Sequence, residues 1–272
     1  MLFQWQKINE ITLLTVTAFS DTGLVSHGFT SRTGGVSPVP YQSLNMGFTV
    51  NDEHDNVIRN RQRVADGLGF PLEDLVAAKQ VHGDRVAVIT GEQLGKGALT
   101  YDTALKDTDA LITDQPGIPI STYHADCIPV LLLDPVTPAI GLAHAGWKGT
   151  ALQIGAKTLA KMTACYGTNP QDCLAAIGPG IGPCCYEVDD KVKDVFARQF
   201  AGSEDFFKPV GTGHWHLDLW LANAAALQQA GVPQQNIFVS GLCTSCNHEL
   251  FFSHRRDKGQ TGRMASLMML KW

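Results

Sequence analysis

Apolar residues recur along this chain at two spacings, and each spacing predicts a different element. In "DNVIRNRQRVADGLG", Val57, Arg61, Val64 and Leu68 fall on one side, with Asp55 near the start and glycine at the end, which predicts a helix with a stop signal. "TALQIGAKTLAKMTACYG" repeats the helical spacing with Leu152, Gly155, Ala156 and Leu159, and "VDDKVKDVFARQF" with Val188, Val192, Val195 and Phe196. "HLDLWLANAAALQQAGVP" sets Leu217, Trp220, Leu221, Ala224 and Leu227 on one stripe, ended by Gly231 and Pro233. Between the helices lie short apolar runs bounded by Gly/Pro turns: Ile118 to Thr122, Pro129 to Leu133, Ala139 to Ala143, and Leu174 to Ile177. These read as strands buried on at least one face. "LVAAKQVHGDRVAVI" reads as two extended stretches around His82-Gly83, and "NIFVSGL" and "ASLMMLKW" add later strands. Hairpins mixed with helical crossovers predict an α/β (α+β) layered sandwich with mixed sheets, not a purely doubly wound one.

Two of the apolar runs are joined by "DPVT", Asp134 to Thr137, and Asp-Pro initiates turns. A hairpin centred between Pro135 and Val136 would pair Leu133 with Pro138, Leu131 with Ile140, and Cys127 with His144. Opposed Cβ atoms lie about 4.5–5.5 Å apart, close enough for one metal ion or for a base to activate a thiol. Pro129 and Pro138 lack ladder donors and leave room for a bulge, and a slip of one residue would put the pair on opposite faces.

The commoner fate of a free cysteine is that of a small buried hydrophobe. His144 lies in "AHAGWKGT", where small residues admit a neighbour and Gly146 and Gly149 turn the chain into a helix whose N-terminus suits an anion such as phosphate. His82, in "KQVHGDRV", puts an imidazole at a loop tip, where most histidines are only solvated. Taken together, His82, Cys127 and His144 match a zinc site that keeps one position open for water or substrate. A rival lies in "CTSCNHELFFSHRRD", where Cys243 and Cys246 are spaced C-x-x-C. That spacing lacks the second half of a structural zinc site, which Cys184 and Cys185 could supply, and plain buried thiols compete with the reading. Arg255 and Arg256 suit an anion or a solvated surface equally. His214 and His216 alternate as in a strand but read better as a capped approach to the helix near Leu217.

Composition narrows the classes. At 272 residues the chain is long enough to bury a full core, and no linker or repeat divides it, so one domain over residues 1–272 is expected. A net charge of -5, from 21 Lys+Arg against 26 Asp+Glu, offers no basic field for nucleic acid or anionic membrane. The start "MLFQWQKINEITLL" lacks the pattern of an export signal, and no window resembles a membrane span. Seven cysteines, an odd number, fit reduced thiols in a cytoplasmic protein. The oligomeric state is left open.

Several segments in order, "HGFTSRTGGVSPVPYQSLNMG", "NVIRNRQRV", "KQVHGDRV", "TDALIT", "HADCIPVLLLD", "AHAGWKGT", "AIGPGIGPCCYEV" and "GLCTSCNHELFFSHRRDKGQTGRMASLMML", together resemble the bacterial YfiH-type family, also called the laccase-domain or multicopper polyphenol oxidase family. The likeness runs from about residue 27 to the end. It implies one α/β sandwich domain with a pocket metal, zinc or copper, held by His82, Cys127 and His144. It also implies phosphorolysis of adenosine, inosine and methylthioadenosine with inorganic phosphate, plus adenosine deamination. Arg32, Asn45 and Arg256 are the expected phosphate or ribose contacts. His124 stands where threonine or valine is usual, which leaves its contact with ligand open. Two other chemistries compete: a hydrolase or amidase acting on peptidoglycan precursors, with Cys127 as nucleophile and His144 as base, and a copper-dependent polyphenol oxidase. The oxidase is disfavoured, because copper clusters need repeated His-x-His groups and only His214 and His216 have that form. A non-enzymatic binding module would follow if the three ligands lay apart.

Overall fold

Runs that are apolar at nearly every position, such as "IPVLLLD" and "AIGLAHA", are satisfied only where both faces of a strand are covered. The computed structural model, which describes residues 1–272, shows how this is done. A first six-stranded sheet contains β1 (Phe3–Ile8), β2 (Ile11–Val16), β3 (Val25–Thr30), β4 (Val76–Ala77), β7 (Ile120–His124) and β15 (Met264–Leu270), in the order β1-β2-β3-β15-β7-β4. A second contains β5 (Val86–Val88), β6 (Ala110–Thr113), β8 (Ile128–Asp134), β9 (Ala139–Ala145), β10 (Leu174–Ile177) and β14 (Ile237–Val239), in the order β14-β10-β8-β9-β6-β5. A small third sheet is ordered β11 (Glu187–Asp189), β13 (His214–Leu217), β12 (Phe207–Gly211). The pairs β4–β7, β5–β6 and β10–β14 are parallel and the other pairs antiparallel, so the two large sheets are mixed as expected. The helices are α1 (Thr17–Asp21), α2 (His54–Leu68), α3 (Trp147–Ala151), α4 (Ile154–Tyr166), α5 (Asp190–Gln199) and α6 (Leu219–Gln229).

Alternation along the central hairpin sorts its side chains into two cores. Ile128, Val130 and Leu132 of β8, with Ala139, Ala143 and Ala145 of β9, pack under α4 and α6 against Ile154, Leu159 and Leu227. Leu131, Leu133, Ile140 and Leu142 point the other way and meet Phe29, Ile120 and Met268 of the first sheet. Outside that sheet, Val64 and Ala65 of α2 cover Leu13 and Leu267. The layers therefore run helix, sheet, sheet, helices. α2 stops where expected, at Gly69 with φ 79°, a left-handed cap that glycine adopts without strain.

Three expectations change. The single helix expected after His144 is two helices, because Gln153 adopts φ 58° and breaks the ladder between α3 and α4. His214 and His216 lie within β13, opposite Asp189 and Glu187 of β11, and Asp218 caps α6 by accepting the Leu221 N–H at 2.9 Å. The hairpin register also moves by two residues: Asp134 pairs with Ala139, Leu133 with Ile140, and Pro129 with His144. The cause is the Asp134 carboxylate, whose Oδ1 accepts the Val136 and Thr137 N–H groups at 2.9 and 3.0 Å and closes a four-residue loop that keeps Pro138 out of the ladder.

Leu142 is wholly buried between the two sheets. Leu142→Ala should lower the unfolding free energy by about 2–5 kcal/mol in urea titration; a loss below about 1 kcal/mol would mean that the sheets do not depend on this contact.

Candidate metal centre

A two-residue shift preserves strand parity, so it moves the partners without separating them. His144 continues the row of Ile140 and Leu142 on β9. Cys127, one residue before β8, continues the row of Leu131 and Leu133. Both therefore emerge at the end of the seam between the two sheets, as diagonal neighbours and not as the opposed pair expected. His82 reaches them from the loop between β4 and β5, in the left-handed region at φ 61°. The Sγ of Cys127 and a ring nitrogen of each histidine all lie within 4.8 Å of one another. Tetrahedral zinc needs such atoms about 3.5 Å apart, so small side-chain rotations suffice.

Two residues make this approach possible. Gly146 passes directly behind the trio: a Cβ placed there would sit 2.9 Å from Cys127 Sγ and 2.9 Å from His82 Cδ2. Asp109, just before β6 and wholly buried, accepts N–H groups from Val81 at 3.1 Å, His82 at 3.0 Å and Gly83 at 2.8 Å, and its Oδ1 lies 2.9 Å from His144 Nδ1. Its own carbonyl accepts the His144 N–H at 2.8 Å. Asp109 thus holds the His82 backbone in its left-handed turn and turns His144 so that Nε2 is the free ligand atom. The quoted segment "TDALIT" contained it, but a lone aspartate before a strand carries no spacing signal.

The electrostatics are those of a thiolate beside an imidazolium. Burial pushes the Cys127 thiol up, but the charge of His144 and hydrogen bonds from His144 and His82 outweigh it and bring it down to about 6. Burial pushes His144 down, while the Cys127 thiolate and the Asp109 carboxylate more than compensate and raise it to about 9. For Asp109, burial is opposed by hydrogen bonds from His144 and Gly83, and the carboxyl stays below its usual value. One thiolate and two imidazoles, drawn together with no Cβ in the way, are the donor set that zinc or copper takes.

The trio borders a cavity of about 400 Å³, large enough for a nucleoside-sized ligand. Its wall includes Phe48, Tyr101, Tyr123 and Tyr186, and three arginines, Arg61, Arg255 and Arg263. Arg61, read from sequence as part of the α2 stripe, is buried between the rings of Phe48 and Tyr123, with guanidinium-to-centroid distances of 4.0 and 4.5 Å. Arginine ion pairs elsewhere engage Arg63 with Glu10 and Arg256 with Asp257. The three cavity arginines donate only to backbone carbonyls, Arg61 to Met46, Gly97 and Ala98, Arg255 to Glu187, and Arg263 to Thr261 and Gly262, so their charge has no carboxylate partner.

Arg32, Asn45 and Arg256 are not on this wall. Arg32 donates to the Gln42 and His248 carbonyls at 2.9 and 3.1 Å. Arg256 is turned inward, donating to the Thr244 and Phe251 carbonyls at 2.9 and 3.0 Å and pairing with Asp257. Asn45 Oδ1 accepts the Gly47 and Arg263 N–H groups at 3.1 and 2.9 Å, so it supports the wall from behind. His124 does line the cavity; its Nε2 lies 2.7 Å from Ser266 Oγ, its Nδ1 has no partner, and burial pushes its pKa down to about 3.

With this geometry in view, the family is clear. The chain belongs to the family described as multi-copper polyphenol oxidoreductase laccase, whose model matches residues 26–271. It is 42% identical over 244 residues to purine nucleoside phosphorylase YlmD of Bacillus subtilis, covering 90% of this chain and 88% of that one. The crystal structure of the Bacillus licheniformis hypothetical protein YfiH superposes with a TM-score of 0.94 at 45% identity, over 98% of this chain and 99% of that one. The YlmD structure from Geobacillus stearothermophilus also gives 0.94, at 39% identity over 100% and 99% of the two chains.

If the trio holds zinc, Gly146→Ala should weaken its binding at least about tenfold in competition with a chromophoric chelator, because the new methyl group would sit against Cys127 Sγ and the His82 ring. Unchanged affinity would place the metal elsewhere. If the trio holds zinc, affinity should fall as the pH drops below about 9, where His144 gains a proton that the metal must displace, and more steeply below about 6, where Cys127 is protonated as well; a flat profile from pH 7 to 5 would contradict that donor set.

Proposed function

We propose that this protein is a purine nucleoside phosphorylase acting on adenosine, inosine and S-methyl-5'-thioadenosine with inorganic phosphate, with adenosine deaminase activity in the same cavity. His82, Cys127 and His144 hold its metal, zinc in preference to copper. The observation that carries this reading is the cavity wall itself: a metal-ligand trio beside three arginines with no carboxylate partner, among aromatic rings. The name borne by the Bacillus subtilis relative agrees with it. The seven free cysteines fit a cytoplasmic setting.

Phosphorolysis joins a phosphate oxygen to the anomeric carbon as the bond to the base breaks, and the electron pair leaves with the purine. Arg61, Arg255 and Arg263 supply the positive charge that holds the phosphate dianion away from water, a role that passes to them from Arg32 and Arg256. Phe48, Tyr101, Tyr123 and Tyr186 offer flat apolar surfaces to the purine. His124, neutral and buried with its Nε2 beside Ser266 Oγ, backs the cavity wall. Held by the Cys127 thiolate and the neutral imidazoles of His82 and His144, zinc would keep one net positive charge and would supply the Lewis acidity that deamination needs.

A second reading is favoured by the order Cys127, His144, Asp109, which is that of a thiol nucleophile, its base and the carboxylate that orients the base. It would make the protein an amidase acting on peptidoglycan precursors. A copper oxidase fits poorly, since the His214–His216 pair lies on the third sheet with His214 Nδ1 2.8 Å from Glu187.

Protein of known zinc content, incubated with inosine and phosphate, should release hypoxanthine and ribose 1-phosphate. Arg263→Ala should raise the KM for phosphate at least about tenfold, and Cys127→Ala should abolish release. No release by the wild type, or equal release by Cys127→Ala, contradicts the phosphorylase, and an acyl adduct trapped on Cys127 would favour the amidase.

A further inference from the structure

Behind the cavity wall, two loops that the sequence leaves unconnected bring four thiols together. We infer that Cys184, Cys185, Cys243 and Cys246 form a second metal site, in which four thiolates hold one zinc-class cation. Cys184 and Cys185 lie in the loop between β10 and β11, and Cys243 and Cys246 in the loop after β14. Their four sulfurs all lie within 4.8 Å of one another. Cys246 Sγ stands 3.5 Å from Cys184 Sγ and 3.4 Å from Cys185 Sγ. Zinc–sulfur bonds of about 2.3 Å in a tetrahedron put sulfurs about 3.8 Å apart, so the thiols already sit close to the corners of that figure. A disulfide would satisfy only one of the two contacts Cys246 makes, whereas a central cation satisfies both.

One of the four sulfurs already receives a backbone donor. The Gly182 N–H donates to Cys243 Sγ at 3.3 Å. Such an N–H group stabilises a thiolate more than a neutral thiol. The loops are held in register without the metal: Gly180 and Cys243 form a parallel bridge, and the Thr244 N–H donates to the Gly180 carbonyl at 2.9 Å. Cys184 and Cys246 are exposed, so a cation enters from solvent without opening the fold. Binding converts four thiols to thiolates and releases their protons to water.

None of the four cysteines lines the cavity, yet their loops support it. Thr244 Oγ1 donates to Asp126 Oδ1 at 2.7 Å, beside Cys127, and Tyr186 follows Cys185 onto the cavity wall. A cation at the four thiols would clamp both loops from outside, a bracing role independent of which reaction the cavity performs.

The test uses the full chain, purified under reducing conditions, with zinc per chain measured by plasma mass spectrometry. Cys184→Ser/Cys246→Ser should carry about one zinc fewer than the wild type. Because that variant could fail to fold, His82→Ala/Cys127→Ala provides a second arm: it should retain zinc and, after exchange with cobalt(II), show the intense near-ultraviolet charge-transfer absorption of a multi-thiolate complex. Equal zinc in the wild type and the cysteine variant overturns the proposal. So does absence of that absorption in the second arm, or an intact mass showing that these cysteines form a disulfide in the reduced preparation.

Discussion

The Asp109 carboxylate is the point on which the site turns. A buried carboxylate is costly unless its lone pairs are filled, and here three backbone N–H groups and the His144 imidazole fill them. The same four bonds tie the loop after β4, which joins the first sheet, to β9 in the second. They therefore hold together the two sheets whose seam opens on the cavity. A loop residue in a left-handed conformation, His82, is kept there by that carboxylate, and its ring stands 4.9 Å from the ring of His144. Gly146 completes the arrangement from the other side by leaving room where the donors converge.

The architecture was legible because its signals are local and periodic. Val57, Val64 and the glycine stop at Gly69 marked α2, and the apolar runs of β8 and β9 marked strands covered on both faces. The register was not legible, because it depends on where one side chain points: Asp134 accepts two loop N–H groups and lengthens the turn, which no residue pattern distinguishes from a tighter one. Cys127 and His144 still come together because the displacement is two residues, which preserves the face; one residue would have parted them.

The cavity wall was harder to read for a related reason. Arg61 looked like one member of a helical stripe, and only tertiary packing reveals that it lies between two rings, donating to the Met46, Gly97 and Ala98 carbonyls with no carboxylate to neutralise it. Conversely, Arg32, Asn45 and Arg256 have suitable donor chemistry but lie off the cavity wall, Arg32 donating to carbonyls, Asn45 to the Asp52 carboxylate and Arg256 to that of Asp257. Asp109 was invisible because its partners come from segments about thirty residues away on either side, and nothing in its immediate neighbours announces them. The four thiols illustrate the same limit: the C-x-x-C half was plain, whereas its meeting with Cys184 and Cys185 required the β10 and β14 loops to run side by side.

Zinc affinity reports most directly whether Asp109 organises the donor trio. Asp109→Asn keeps the size of the side chain but replaces a full-charge acceptor with an amide. With the fold verified by circular dichroism, chelator competition should show zinc bound about 10–100-fold more weakly than by the wild type. Affinity equal to the wild type in a folded Asp109→Asn protein would contradict the account, since the histidines would then be oriented by something other than this carboxylate.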